Sequence, residues 1–434
     1  MKTPHFAIVG AGTAGIATAI LLAKQNIRVT LFEKVTTLEP VGAGLLLQPA
    51  GLAVFEHLGI LEDALPLGAR VNGLEGRLPN QKLLINSHYV QANPNYYGLG
   101  IHRATLCHVL EQKAKQFPDL ITWRMNTDIE RYEEVQNEVR IYGCVGKVPF
   151  AERFDSIIIA NGARSHLRPK NWVKLDQAYP WGAKWTIVPE CLELDPQILH
   201  QFHDRSKIML GVLPTGAIPT QPEQRLSSVF WSMPTSNTNP FLRREKDREQ
   251  WLNEISKRWS HVGHWLEQVI GHSEQEWSSA NYRDVVMSKM GSGRVGVIGD
   301  AAHAMSPQLG QGANMALLDA WALSKSIEAT RKNGEIDWTQ LWQNYHQHRQ
   351  SSTNFYQFLS RLLTPLYQSD HWWAGGLRDL SFAWMYQIPY FRKEMALTVS
   401  GLKSGMLSQM KYEDIASHHP LSSVKEHNEA LKVD

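Results

Sequence analysis

Phe6-Ala-Ile-Val-Gly10-Ala-Gly12-Thr13-Ala14-Gly15-Ile-Ala-Thr-Ala-Ile-Leu-Leu-Ala23, answered by Val29-Thr-Leu-Phe-Glu33-Lys34, decides how this chain folds. Phe6 to Val9 is a short apolar run that reads as a buried strand. Gly10, Gly12 and Gly15 fall in the spacing G-x-G-x-x-G, and Ala14, Ala17, Leu21 and Leu22 then recur at helical spacing. A second strand, Arg28 to Phe32, ends on Glu33, which completes a βαβ unit. Gly10 permits the tight turn, Gly12 lets backbone approach a pyrophosphate, and Gly15 allows close helix–strand packing. The diphosphate lies on the positive end of the helix, where unpaired N–H groups point outward. Glu33 stands where a carboxylate can accept the hydroxyls of an adenosine ribose. An acid there suits FAD or NAD better than NADP, whose 2′-phosphate it would repel. The glycine turn alone is a weak signal; a strand before it, a helix after it and an acid at the next strand's end make it a dinucleotide site.

The composition narrows the class. A chain of 434 residues holds two or three domains, and a formal charge of +2 gives no global bias toward nucleic acid. Arg243, Arg244 and Lys246 alternate with Glu245, Asp247 and Glu249, as on a solvated helix face. Cys107, Cys144 and Cys191 form no C-x-x-C and no zinc pattern, so they read as free thiols in a reducing compartment. The first strand begins almost at once, leaving no room for a leader, and no window reaches 18 uninterrupted apolar residues. The expectation is a soluble cytoplasmic enzyme, monomer or homodimer, with no metal site.

Further along, Val41 to Ala50 reads as a loop with a short extended piece, either a plain connector or backbone lying against a flat ligand. Gly51 to Leu61 reads as helix, and Val71–Leu78 with Lys82–Asn86 as a hairpin around Pro79-Asn80. Arg103 opens a helix, where the macrodipole disfavours a cation; a nearby anion or a pairing with Glu111 would explain it. Thr122–Arg124 and Val139–Tyr142 read as strands continuing the sheet, and Ser156–Ala160 as a second buried parallel strand. The latter runs into Asn161-Gly162-Ala-Arg164-Ser165-His-Leu-Arg168, at the edge where open α/β sheets bind ligands. Trp181–Val188, Lys207–Leu213 and Arg225–Met233 suggest an antiparallel sheet, followed by a helix over 243–259. Trp181, Trp185, Phe230 and Trp231 would line a pocket for a flat substrate, unless they only reflect strand preference. A buried strand Val295–Ile298 ends in Gly299-Asp300, and Gly310-Gln-Gly312 opens a long helix whose amides favour negative charge. The last hundred residues read as helical and aromatic, with a polar frayed tail from Lys403.

Three ordered motifs carry a resemblance: Gly10 to Gly15 with Glu33; Asn161-Gly162 to Arg168; and Gly299-Asp300-Ala-Ala-His303-Ala-Met-Ser-Pro307-Gln-Leu-Gly310-Gln-Gly312. Together they resemble the single-component FAD-dependent aromatic hydroxylases, the group of para-hydroxybenzoate and salicylate hydroxylases. The resemblance implies a Rossmann-like FAD-binding domain with a parallel sheet (1–70, 99–178 and 275–330). It also implies an antiparallel-sheet substrate domain (71–98 and 179–274) and a C-terminal helical region (331–434). Glu33 would hold the adenosine ribose, and Thr13, Ala14 and Lys34 would also contact the cofactor. Asp300 would take a hydroxyl near the pyrophosphate, Arg103 would contact the flavin, and Pro307, Gly310, Gly312, Ala313 and Asn314 would border its ring. Asn161, Gly162, Arg164 and Arg168 would serve NAD(P)H or FAD; the family pattern has Asp where this chain has Asn161, which removes a charge that could pair with Arg164 or Arg168.

The same resemblance implies the chemistry: NADH or NADPH reduces the flavin, O₂ adds at C4a, and the hydroperoxide attacks an electron-rich ring. The protein binds, positions and excludes water. His102, His303 and Tyr97 are candidate bases, each with a structural reading beside it. Alternatives are a flavin halogenase, of whose W-x-W-x-I-P motif Trp185-Thr-Ile-Val-Pro189 is a poor imitation, a flavin dehydrogenase or reductase, and a catalytically silent FAD-binding protein.

Overall fold

The apolar runs that do not alternate lie side by side as a parallel sheet, where both faces of every strand are covered. In the computed structural model, which describes residues 3–38, 44–236, 245–271 and 276–416, His5–Val9 sits between Arg28–Phe32 and Ser156–Ile159. Ile121–Arg124 extends one side and Val295–Val297 the other, with a short antiparallel edge at Gly291–Ser292. Phe6 stands opposite Ser156 on one side and Val29 on the other. The strands end at one edge: Gly10 N–H reaches Phe32 O (2.8 Å), Ala160 N–H reaches Val9 O (2.8 Å) and Ile298 N–H reaches Ile159 O (3.0 Å). All three sequence motifs start from that edge.

Val139–Tyr142 does not continue this sheet. Glu138–Val145 pairs with Thr127–Val135 and Val148–Phe154 in a separate three-stranded antiparallel sheet. Its strands alternate, with Ile129, Val139 and Ile141 buried between exposed polar neighbours, the pattern of a sheet wet on one face.

A seven-stranded sheet forms the second body. Its order runs Ser278–Met287, Val173–Pro189, Gln221–Pro234, Ile208–Ile218, Ile198–Asp204, Gly73–Arg77, Leu83–His88. The hairpin at 73–88 joins it through parallel pairing of Gly73–Arg77 with Ile198–Asp204. Alternation divides its faces. Val188, Phe202, Leu210, Val212 and Val229 pack against the helices Glu245–Arg258 and Ser260–Ile270; the sequence pattern anticipated only the first of these. Met209, Leu213 and Phe230 face the other way, toward Leu309, Met315 and the C-terminal helices.

Those helices are Trp338–Tyr367, Ala374–Met385 and Pro389–Val399. The expected fraying from Lys403 does not occur through Ala416. The Lys403 ammonium is buried against Glu394 (2.6 Å), and Tyr412 donates its hydroxyl to Glu56 (2.9 Å) while its ring lies 6.0 Å from that of Tyr96. Tyr412 and Ile415, one helical turn apart, supply the apolar anchor that a merely polar count of this segment hides. No helix among the described residues is long and apolar enough to cross a membrane.

Candidate active site

The first turn shows why each glycine stands where it does. Gly10 has φ +107°, and a Cβ there would fall 2.5 Å from Ala160 O; one on Gly15 would fall 1.9 Å from Gly10 O. Gly12 is different. Its φ of −81° suits any residue, and a Cβ would meet no protein atom within 4 Å. Neither strain nor protein packing accounts for this glycine, whereas close approach of a ligand does. The helix Thr13–Lys24 opens there with no side-chain cap and no acid in its first turn, so its amides remain free for an anion. Beside it, Glu33 accepts from Ala11 N–H (2.9 Å) and Val35 N–H (3.2 Å), which fixes its carboxylate at the strand end; Lys34 is exposed.

The residue-300 turn meets the first one directly. Gly299 (φ +61°) has no room for a side chain: a Cβ would lie 3.0 Å from that of Ala14 and 3.7 Å from that of Ala316. Asp300 is exposed just beyond, with Oδ1 3.9 Å from where a Cβ on Gly312 would be. Pro307, Gly310 (φ +63°) and Gly312 are also exposed, and the helix Gly312–Thr330 likewise opens without a side-chain cap or an acid in its first turn. Asn314 stands behind this loop. It is fully buried, and its amide is spent on Leu46 O (3.2 Å), Gly310 O (3.2 Å) and Gln48 N–H (2.8 Å). Gln311 is buried against Gln48 and Val399 O (3.1 Å). The described part of the 41–50 stretch is therefore tied to the residue-310 loop; 41–43 lie outside the described residues.

A buried ionic cluster that sequence reading missed holds this turn from behind. Asp319 accepts from Gly299 N–H (2.7 Å) and Arg349 Nε (2.7 Å), and lies 2.5 Å from His303 Nε2. Burial opposes its ionisation, but His303 and Arg349 outweigh that and hold the carboxyl well below the usual carboxylate range. His303 is thus an anchor of the turn. The sequence signal is slight: Asp319 stands one helical turn after Ala316, and Arg349 lies in the polar-looking helix Trp338–Tyr367, outside every motif.

In the middle motif Gly162 has φ +84°, with open space where a side chain would be, and Arg164 is exposed. Arg168 is buried, donating to Ala163 O (3.1 Å), Ala301 O (3.1 Å) and Asp176 (2.8 Å). It ties the middle motif to the residue-300 turn, and its counter-charge is Asp176 where Asn161 supplies none.

Arg103 is exposed at the start of the helix Arg103–Ala114 and makes no ion pair or hydrogen bond among the described residues. Glu111 is instead paired with Lys115 (2.8 Å). Burial pushes the Tyr282 phenol up, opposed by a hydrogen bond with Trp185 and by the charge of Arg103. Trp185 packs on Phe230 (centroids 4.8 Å) on the sheet face toward Met305 and Leu309. Trp231 turns to the opposite face, onto Trp251 (5.6 Å), so the expected aromatic lining is split between two faces. His102 caps its helix, Nδ1 accepting from Ala104 N–H (3.0 Å), and Tyr97 lies under Arg70 (4.3 Å). Two uncapped helix ends, an acid at a strand end and an open Gly12 at one sheet edge fit a dinucleotide.

Residues 3–354 match the family described as FAD binding domain. The chain belongs to that family. Its similar proteins include 3-amino-4-hydroxybenzoate 2-monooxygenase of Streptomyces cremeus, 26% identical over 335 residues, covering 75% of this chain and 79% of the relative. Another is 3-hydroxybenzoate 6-hydroxylase of Klebsiella oxytoca, 24% identical over 358 residues, covering 75% and 80%. Among solved structures, p-nitrophenol 4-monooxygenase from Pseudomonas putida DLL-E4 superposes with a TM-score of 0.74 at 18% identity, covering 92% of this chain and 99% of that one. The tetrameric form of 2-methyl-3-hydroxypyridine-5-carboxylic acid oxygenase gives 0.72 at 22% identity, covering 92% and 97%. The fold is that of the FAD-binding monooxygenases of aromatic-hydroxylase type, whose hydroxylases use NAD(P)H as co-substrate.

Proposed function

We propose that this FAD-dependent monooxygenase hydroxylates a small aromatic ring held between the Trp185–Phe230 face of the seven-stranded sheet and the Met305–Gly312 turn. The observation that carries the reading is that face itself: one side of the sheet packs on the helices Glu245–Arg258 and Ser260–Ile270, and the other meets the residue-300 loop together with the C-terminal helices. When bound, FAD supplies the two-electron redox chemistry and the activation of O₂ at the expense of NADH or NADPH. The chain's residues do the rest. Glu33 accepts ribose hydroxyls, the open backbone at Gly12, Thr13 and Ala14 receives the diphosphate, and Asp300 accepts a hydroxyl on the flavin side. The amides that begin at Gly312 and Ala313 stabilise negative charge at the ring edge. Met209, Leu213, Phe230 and Trp185 exclude water, while Arg103 and Tyr282 supply the polar groups that orient an acidic or phenolic ring.

Hydroxybenzoates, aminohydroxybenzoates and nitrophenols, the compounds named for the relatives, form the first panel to try. NADH or NADPH oxidation should rise with at least one of them, and ¹⁸O₂ should label the product. A purified, FAD-loaded protein that oxidises neither donor faster with any aromatic compound, and labels no product, would overturn the proposal.

A further inference from the structure

The helix Ala374–Met385 is apolar on both sides. Its inner side carries Phe382, packed on Tyr367 (6.1 Å), and fully buried Arg378, which lies over Tyr367 (5.4 Å) and is neutralised by Asp379 (2.8 Å). Its outer side carries Leu377, Leu380 and Trp384, continuous with Trp373 just before the helix. The steps of four, three and four residues put these on one face. They are exposed by 53%, 74%, 59% and 45%, and neighbouring Trp372 by 89%. A helix apolar all round is normally enclosed; this one leaves a stripe of two leucines flanked by tryptophans in the open, with no charged side chain on it.

Cations stand near both ends of the helix. At its start, a Cβ on Gly375 would lie 2.8 Å from Arg205 Cα, so exposed Arg205 adjoins the first helical turn, and Lys207 nearby is paired with Asp370 (3.2 Å). Past the other end, the helix Pro389–Val399 carries exposed Tyr390, Arg392 and exposed Lys393. Arg205, Arg392 and Lys393 make no ion pair among the described residues, whereas the nearby acid Glu394 is held by Lys403 (2.6 Å).

We propose that this face docks on an anionic lipid bilayer surface. Indoles and leucines in a row, bordered by lysine and arginine, are the composition of a helix lying in the headgroup region: the rings enter the acyl boundary and the cations meet lipid phosphates. A second copy of the chain complements the face less well, since a twofold contact sets cationic ends against each other. The proposal stands independently of the hydroxylation reading. It adds a place of work: the helix whose outer side meets lipid packs by its inner side into the apolar cluster that also holds Phe230 and Leu309.

The test is flotation of the full, FAD-loaded chain with phosphatidylcholine vesicles containing or lacking phosphatidylglycerol. The wild type should float with the anionic vesicles and be released by salt. Leu380→Gln/Trp384→Gln should lower the partition coefficient at least about tenfold, and Arg205→Glu/Lys393→Glu should weaken binding to anionic vesicles. Far-ultraviolet circular dichroism and FAD content should not change in either. Leu380→Gln alone, at the most exposed position of the stripe on this helix, serves if the double variant does not fold. A wild-type chain that stays at the bottom of the gradient with anionic vesicles would overturn the proposal. So would a lipid-free dimer in sedimentation velocity that Leu380→Gln dissociates, because a second copy would then own the face.

Discussion

Replacing Asp319 by Asn tests how the residue-300 turn is held. Asp319 is fully buried, with one oxygen shared by Gly299 N–H and His303 and the other accepting from Arg349. An amide of the same shape has one acceptor, so its NH₂ must face a donor on one side, and the buried guanidinium loses its counter-charge. Breaking a buried pair from one side costs about 3–5 kcal/mol. Urea unfolding of the FAD-saturated variant should show a loss of that size. Asp319→Asn/Arg349→Met should recover much of it, because the buried guanidinium is removed together with its counter-charge. The pH dependence has a definite sign. The folded carboxyl titrates below its unfolded value, so its contribution is present above about pH 4 and is lost as pH falls through the folded pKa. The acid limb of stability should therefore be flatter in Asp319→Asn. A loss under about 1 kcal/mol with an unchanged acid limb would refute the reasoning.

Two further substitutions separate binding from folding. Glu33→Ala removes a charged acceptor proposed for ribose hydroxyls; FAD affinity should fall about ten- to hundredfold by fluorescence titration, and an unchanged Kd would put the ribose elsewhere. Arg103→Ala removes a cation without a partner among the described residues, so unfolding should shift by no more than about 0.5 kcal/mol. Aromatic-stimulated NAD(P)H oxidation should fall at least about tenfold, and a large stability loss with normal turnover would mark Arg103 as structural instead.

What the sequence disclosed follows from how local each signal is. The βαβ unit, the parallel strands and the uncapped helix starts are written in contiguous residues, and Gly10, Gly15 and Gly299 show their steric reasons once neighbours are in place. The antiparallel sheet was legible as alternation, but which face carried Trp185 and which Trp231 depends on what packs above and below, information held in distant helices. Asp319 with Arg349, and Arg168 with Asp176, are contacts between separated segments and leave no periodic trace. Val139–Tyr142 pairs outside the parallel sheet, because a short apolar alternation states that a strand exists and not which partner it finds.

The central claim is that the first glycine turn and the residue-300 turn, in contact through Ala14 and Gly299, frame one FAD site. The measurement that tests it most directly is the FAD content per chain of Gly12→Val, purified beside the wild type. Because a Cβ at position 12 meets no protein atom within 4 Å and the backbone conformation is ordinary, the fold should persist. The account predicts a folded, colourless protein that takes up no added FAD; a yellow variant with one flavin per chain would contradict it.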